Sequence, residues 1–301
     1  MGPGDADATL AAARAASAAA AEASGIRIAD VHDHEHLTGV SRLFDEVWGR
    51  APDAGGIMPT ELLHAMEHAG CQVTAAFAGA DGDEMVGATA AILGRDPDGG
   101  EAYLHSHITG IVGDAQLRGV GWALKQYQRA WCLERGITNV RWTFDPLVRR
   151  NAVFNLVKLG ARPIAWLDDA YGPMPDRRNA GLPTDRFVAS WDLTEARVAR
   201  AAGGAFAEPR LEGLRRAGAV EILRDEDGEP VTADADGPRL LAQVPADIEA
   251  IRAEDPDRAR RWADAARATL GRALQADHRV TGVTRDGWYV LGRDEQVEEL
   301  R

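Results

Sequence analysis

Apolar residues at Leu37, Val40, Leu43, Phe44, Val47 and Trp48 recur at helical spacing and predict a helix over Leu37–Trp48. A second helix is predicted over Met58–Ala69, and Gly25–Val31 ahead of both reads as a short strand. Gln72–Phe77 and Met85–Leu93 carry strand patterns on either side of Ala80–Asp83, whose Ala-Asp-Gly-Asp composition is a hairpin signal. A strand over Tyr103–Val112 leads through a glycine-containing turn into a helix over Val120–Arg135, followed by a strand at Val140–Phe144. Asn151–Leu159 reads as a short helix closed by Gly160, which suits a left-handed C-terminal cap. Strands at Pro163–Leu167 and Phe187–Leu193 follow, separated by a long irregular loop. This succession makes residues 25–193 one mixed α/β domain.

The flanking segments read differently. Residues 1–24 are rich in alanine but interrupted by Asp5, Asp7, Arg14 and Glu22, with no basic leader ahead, so they are expected to form a flexible or helical arm and not a secretion signal. Residues 194–238 show weak periodicity and are expected to be a loosely structured connector. Residues 239–301 predict a smaller α+β extension: a strand at Arg239–Val244, a long helix over roughly Ala246–Ala276 that carries Trp262, and a hairpin through Asp286 and Gly287.

Composition narrows the function. Of 301 residues, 34 are Lys or Arg and 47 Asp or Glu, and 34 minus 47 gives a net charge of −13. Nucleic acid and anionic membrane select basic surfaces, so neither is an expected partner, and an anionic ligand must be held by a local device. With 45% hydrophobic and 27% charged residues the chain has the make-up of a globular protein, not a disordered one. Cys71 and Cys132 are too few for a disulfide framework, and a cytoplasmic location is expected. The run His32-Asp33-His34-Glu35-His36 invites a metal reading, but adjacent residues on an irregular turn diverge. Asp33 or Glu35 at the entry of the following helix serves as cap or dipole partner instead, and no metal is expected.

The local device is Gln116-Leu117-Arg118-Gly119-Val120-Gly121, set between a strand and a helix start. Unpaired amides and the positive end of the helix dipole gather there, and Gly119 and Gly121 allow a pyrophosphate to approach closely, with Arg118 as a further contact. The alternative is a tight turn with no ligand.

Gln-x-x-Gly-x-Gly after a long strand resembles the phosphate-binding motif of the GNAT N-acyltransferase superfamily, and the element order over 25–193 is similar to that family's. The resemblance implies a mostly antiparallel, twisted sheet flanked by helices, and acetyl-CoA or another acyl-CoA, succinyl-CoA included, as cofactor. It implies that Gln116, Arg118, Gly119, Val120 and Gly121 hold the pyrophosphate. The pantetheine arm would pair with backbone groups of residues 109–112 in a splayed strand, and the amide of Ile111 or Val112 would polarise the thioester carbonyl. Asn151 matches the family's pantetheine-binding Asn only loosely, displaced by two positions. The family's acidic Tyr falls on Leu156 here, so Tyr171 is the substitute acid, with Tyr127 a poorer one. Gln116 replaces a more usual Arg, and Gly113 stands where Pro is common.

Transfer to an amine needs a base near the thioester. His105 and His107, two apart on a strand, share a face. Their spacing is similar to the paired strand histidines of arylalkylamine acetyltransferases, which implies His107 as base and His105 as relay. The alternative is a pair of structural histidines. The loop Asp168–Arg186 offers Arg178 or Arg186 for a carboxylate and Asp176 or Asp185 for an ammonium. The expected acceptor is a small amine, an amino acid above all, and the alternative is a non-catalytic coenzyme A sensor. The extension would complete the sheet, cap the acceptor site or form a homodimer contact.

Overall fold

The computed structural model describes residues 3–49, 56–80, 82–96, 98–113, 115, 119–172 and 183–293. The chain divides into two compact units, Met1–Trp142 with Asp192–Gly203, and Thr143–Trp191 with Gly204–Arg301. The span 25–193 therefore runs through both, and the first 24 residues belong to the first.

In the first unit, strands β1 (Ile26–Asp30), β2 (Gln72–Ala78), β3 (Met85–Arg95), β4 (Ala102–Ile111) and β5 (Asn139–Phe144) lie side by side in chain order. All neighbours are antiparallel except β4 and β5, which run parallel. Helix α2 (His34–Trp48) and α3 (Thr60–His68) cover one face, burying Leu37, Val40, Leu43, Phe44, Leu63 and Met66 against β2 and β3. Asp33 caps α2 by accepting from the His36 amide at 3.0 Å and from His36 Nδ1 at 2.6 Å. These bonds hold its carboxyl at about 2, well below the ordinary range. His32 meanwhile bonds Glu67 at 2.8 Å, and among the described residues no group of three His, Cys, Asp or Glu is placed to hold a metal.

The other face carries α4 (Val120–Glu134) and, over it, α1 (Pro3–Ser24). The expected arm is thus a regular helix of 22 residues that packs into the unit. Its buried positions, Ala13, Ser17, Ala20 and Ser24, recur at helical spacing, and such small side chains let two helices close up. Arg14 adds a bond to Glu134 at 2.7 Å.

In the second unit, α5 (Arg149–Ala152) continues as a π-helical stretch, Val153–Lys158, into the left-handed Gly160. Strands β6 (Arg162–Leu167) and β7 (Arg186–Asp192) pair antiparallel. The expected loose connector is structured: it holds α6 (Ala196–Ala202), which falls in the first unit, and α7 (Leu211–Arg216), β8 (Val220–Glu226) and β9 (Glu229–Thr232). With β10 (Arg239–Gln243), β11 (Arg279–Val283) and β12 (Trp288–Gly292) these strands form a second sheet, ordered β11-β12-β10-β8-β9. The single long helix expected after β10 is broken into α8 (Ile248–Glu254), α9 (Pro256–Ala266), a π-helical turn and α10 (Arg272–Gln275). Pro256 cannot continue α8, so it opens a new helix that Asp255 caps. Phe144, Trp166 and Tyr289 stack around Phe187 at centroid distances of 5.2–5.6 Å, joining the second sheet to β6 and β7.

A charge on the buried face of α1 should be far costlier than one outside it. Ala13→Glu is expected to lose about 2–4 kcal/mol in urea unfolding, while Ala15→Glu, on the exposed face, stays within about 0.5 kcal/mol. Equal losses would show that α1 does not pack as described.

Candidate active site

Strand β4 has two unlike edges. Toward β3 it is laddered from Ala102 to Ile111, and Val112 extends the ladder by donating its amide to Val86 at 3.1 Å. Toward β5, register pairs among the described residues are confined to Leu104 with Val140 and His105 with Arg141. Beyond His105 no further register pair joins β4 to β5 among the described residues. The bond to Val86 commits the Val112 amide, so of the two amides expected at the thioester, Val112 is withdrawn. Alternation along the ladder turns the N–H of Ile111 toward the β5 side.

At the end of β4 the chain enters α4 through Gly119, its N-cap, with φ of +85°. Glycine is needed there both for that backbone and because a Cβ would stand 3.2 Å from Ser24 Oγ. At Gly121 a Cβ would come within 3.0 Å of the Ile111 side chain, so the helix start and the strand end lie against each other. No acidic side chain occupies the first turn of α4 and none caps it. Gly119, Val120 and Gly121 thus form a helix start suited to an anion. Gln116 and Arg118 lie outside the described residues.

The ladder slips between Ala90 and Ala91, which pair with Ile108 and Ser106, so His107 is the extra residue of a β-bulge. Bulges re-aim side chains. Here the His105 and His107 rings stay on one side, 6.1 Å apart. Desolvation lowers both below the ordinary 6.5, and the positive charges of His107 and Lys125 lower His105 further, which favours the neutral form of each.

Tyr171 and Asn151 belong to the second unit. The Tyr171 hydroxyl is exposed and lies 2.6 Å from Thr143 Oγ1, while Asn151 sits exposed on α5. Tyr127, the poorer acid, is held in the first unit with its hydroxyl raised to about 12 by burial and by Asp30. Of the expected acceptor groups, Asp185 is buried and held in an ion pair with Arg267, which removes it as an ammonium ligand. Arg186 is buried as well, donates to the Asp185 carbonyl at 2.9 Å and lies 5.5 Å from the Tyr171 ring. Asp176 and Arg178 lie outside the described residues.

One group the sequence reading missed is Lys125. Only 8% exposed, it projects from α4 onto β4, donating to Ser106 Oγ at 2.8 Å and Gln128 Oε1 at 2.9 Å. Burial brings its ammonium down to about 7. The signal was present: Lys125, Gln128 and Cys132 share a helical face that must meet the sheet.

The sequence matches no family profile, and no curated protein matches it. Among solved structures the chain is similar to an N-acetyltransferase from Staphylococcus aureus Mu50, at 13% identity over 56% of this chain and 99% of that one, with a TM-score of 0.41. It is similar to Arabidopsis thaliana Naa50 in complex with the bisubstrate analogue CoA-Ac-MVNAL, at 17% identity over 55% and 97%, TM-score 0.40. A GNAT-family acetyltransferase from Streptococcus pneumoniae is similar at 14% identity over 55% and 98%, TM-score 0.43. At these identities and TM-scores no residue role passes to this chain.

The depressed lysine makes stability depend on pH. The unfolded chain keeps the Lys125 proton up to about 10.5 and the folded one only to about 7, so the folded state is penalised below pH 7 and relieved as pH rises above it. The full penalty is on the order of 5 kcal/mol. Urea unfolding from pH 7 to 9 should therefore show wild-type stability gaining on Lys125→Met. Cys132 and Tyr127, each raised to about 12, stay protonated in the folded state over this range in both proteins, and their titration in the unfolded chain is common to both. A difference flat with pH would contradict the depressed value.

Proposed function

We propose that this chain is an acyl-CoA dependent N-acyltransferase of the GNAT kind that moves an acetyl or succinyl group to a small amine, an amino acid above all. The observation that carries the reading is β4 itself: laddered on its β3 edge, paired with β5 at Leu104 and His105 alone among the described residues, bearing two histidines whose neutral forms are favoured, and running into an acid-free helix start. A pyrophosphate suits the amides at Gly119, Val120 and Gly121, with Gln116 and Arg118 as further contacts. An amide-bearing pantetheine arm suits the β5 edge of β4 beyond His105. Acyl-coenzyme A would supply the activated thioester when bound.

His107 takes the proton from the attacking amine, with His105 as its relay. Amine nitrogen bonds to the acyl carbon, the carbon–sulfur bond breaks, and the thiolate leaves. Tyr171 is the candidate donor to that thiolate, although a thiolate's modest basicity lets it depart unaided. Asn151 remains a candidate pantetheine ligand. With Asp185 engaged by Arg267, preference for an amino acid rests on Asp176, Arg178 and Arg186.

Titration calorimetry should detect coenzyme A binding, and release of free thiol in an acyl-donor by amine screen should name the substrate. No binding at millimolar concentration ends the reading, and binding without turnover for any amine supports the coenzyme A sensor. Gly119→Glu should abolish binding and also lower the melting temperature, because any side chain strains a φ of +85°. Gly119→Ala carries the same strain without the charge, so binding equally weak in both variants would remove the anion from this turn.

Turnover should fall with acid through a limb below pH 6.5, as the histidines protonate. His107→Ala should lower kcat by about 10²- to 10⁴-fold, abolish that limb and leave coenzyme A affinity nearly intact. An unchanged pH profile in His105→Ala/His107→Ala would assign both rings a structural role.

A further inference from the structure

Beneath the two histidines, on the opposite face of β4, lies a cation that the transfer chemistry above does not use. Ser106, between His105 and His107 in the chain, points the other way and accepts from Lys125 at 2.8 Å. Lys125 also donates to Gln128, whose amide nitrogen passes the network to Gln72 at 2.8 Å, and the Trp142 ring lies 4.4 Å from the ammonium. Among the described residues no carboxylate pairs with it. Burying a cation without a counter-charge costs several kcal/mol, so an apolar side chain would serve stability better at this position.

We propose that Lys125 is a positioning residue for the histidine pair: its ammonium, anchored on Ser106 between the two histidines in the chain, keeps the relay His105 unprotonated on the other face of β4. The inference rests on the reading of His107 as the base. The charged and titratable groups around His105 are His107 on its own strand, Lys125 from α4, and Arg141, its register partner on β5, whose guanidinium is bound to Asp96. Beside Lys125 on α4 stands Cys132, kept a neutral thiol by burial. On acidification Lys125 takes its proton at about 7, before the histidines, whose own values lie below 6.5. The charge so acquired opposes protonation of His105 across the strand, and that ring remains available at a pH where an isolated imidazole would begin to titrate.

The test is the NMR titration of the His105 and His107 ring resonances, read in the native protein and in Lys125→Met and Lys125→Gln. Both replacements are neutral and close to lysine in length. In either folded variant the His105 midpoint should rise by about 0.3 to 1 pH unit, and the acid limb of turnover should move with it. An unchanged His105 midpoint overturns the proposal. In the native protein the Lys125 ε-carbon resonance should titrate above both histidines, and a lysine that holds its charge only below them overturns it as well. Because these readouts need no substrate, a shifted midpoint in a protein without transferase activity upholds the coupling while ending the enzymatic reading.

Discussion

Every strand must satisfy two rows of backbone groups, and β4 finds a full partner for only one of them. Its β3 edge is laddered throughout, whereas its β5 edge is matched at Leu104 and His105 alone among the described residues. The rest of the site follows from that inequality. The parallel β4 and β5 are joined by a crossover, and the crossover is α4, so the end of β4 is also the start of a helix. Backbone edge and helix dipole thereby face the same space. The bulge at His107 adds a residue just where the β5 pairing ends.

Much of this was legible in the sequence because local patterns and tertiary burial agree. Leu37 to Trp48 reads as an amphipathic helix and is one, and the strands β2 to β5 lie within two residues of their expected ends. Failures fall where a residue's meaning depends on a distant surface. An alanine-rich stretch has no apolar stripe, yet Ala13, Ser17, Ala20 and Ser24 pack because α4 offers a matching close surface. The segment 194–238 has weak periodicity because its strands β8 and β9 are short and half exposed, and the sheet that holds them is completed by β10, which pairs with β8 from outside the segment. The helix after β10 was drawn too long because helical spacing continues through Pro256 while the backbone does not.

Site residues divide along the same line. The glycine turn and the paired histidines are local features, legible from spacing. Val112 was misassigned because its amide direction depends on ladder phase, which residue types do not encode. Asp185 looked like a surface acid until Arg267, eighty-two residues away, was found holding it. Lys125 reads as an ordinary helix lysine, since nothing within α4 says that the sheet buries it against Ser106.

A chain of net charge −13 that binds a polyanion must confine its attraction to one place. Backbone amides do this without a basic patch, since their dipoles are fixed by the helix and act only at short range. The same economy holds on the far side of β4, where a single ammonium acts on the His105 imidazole without touching it. A carboxylate beside Lys125 would cancel its field and favour the protonated His105, so the buried, unpaired state of this lysine and the basic state of that histidine are one arrangement. Stability is given up in the first to maintain the second, which is why the two cannot be tuned independently by substitution at position 125.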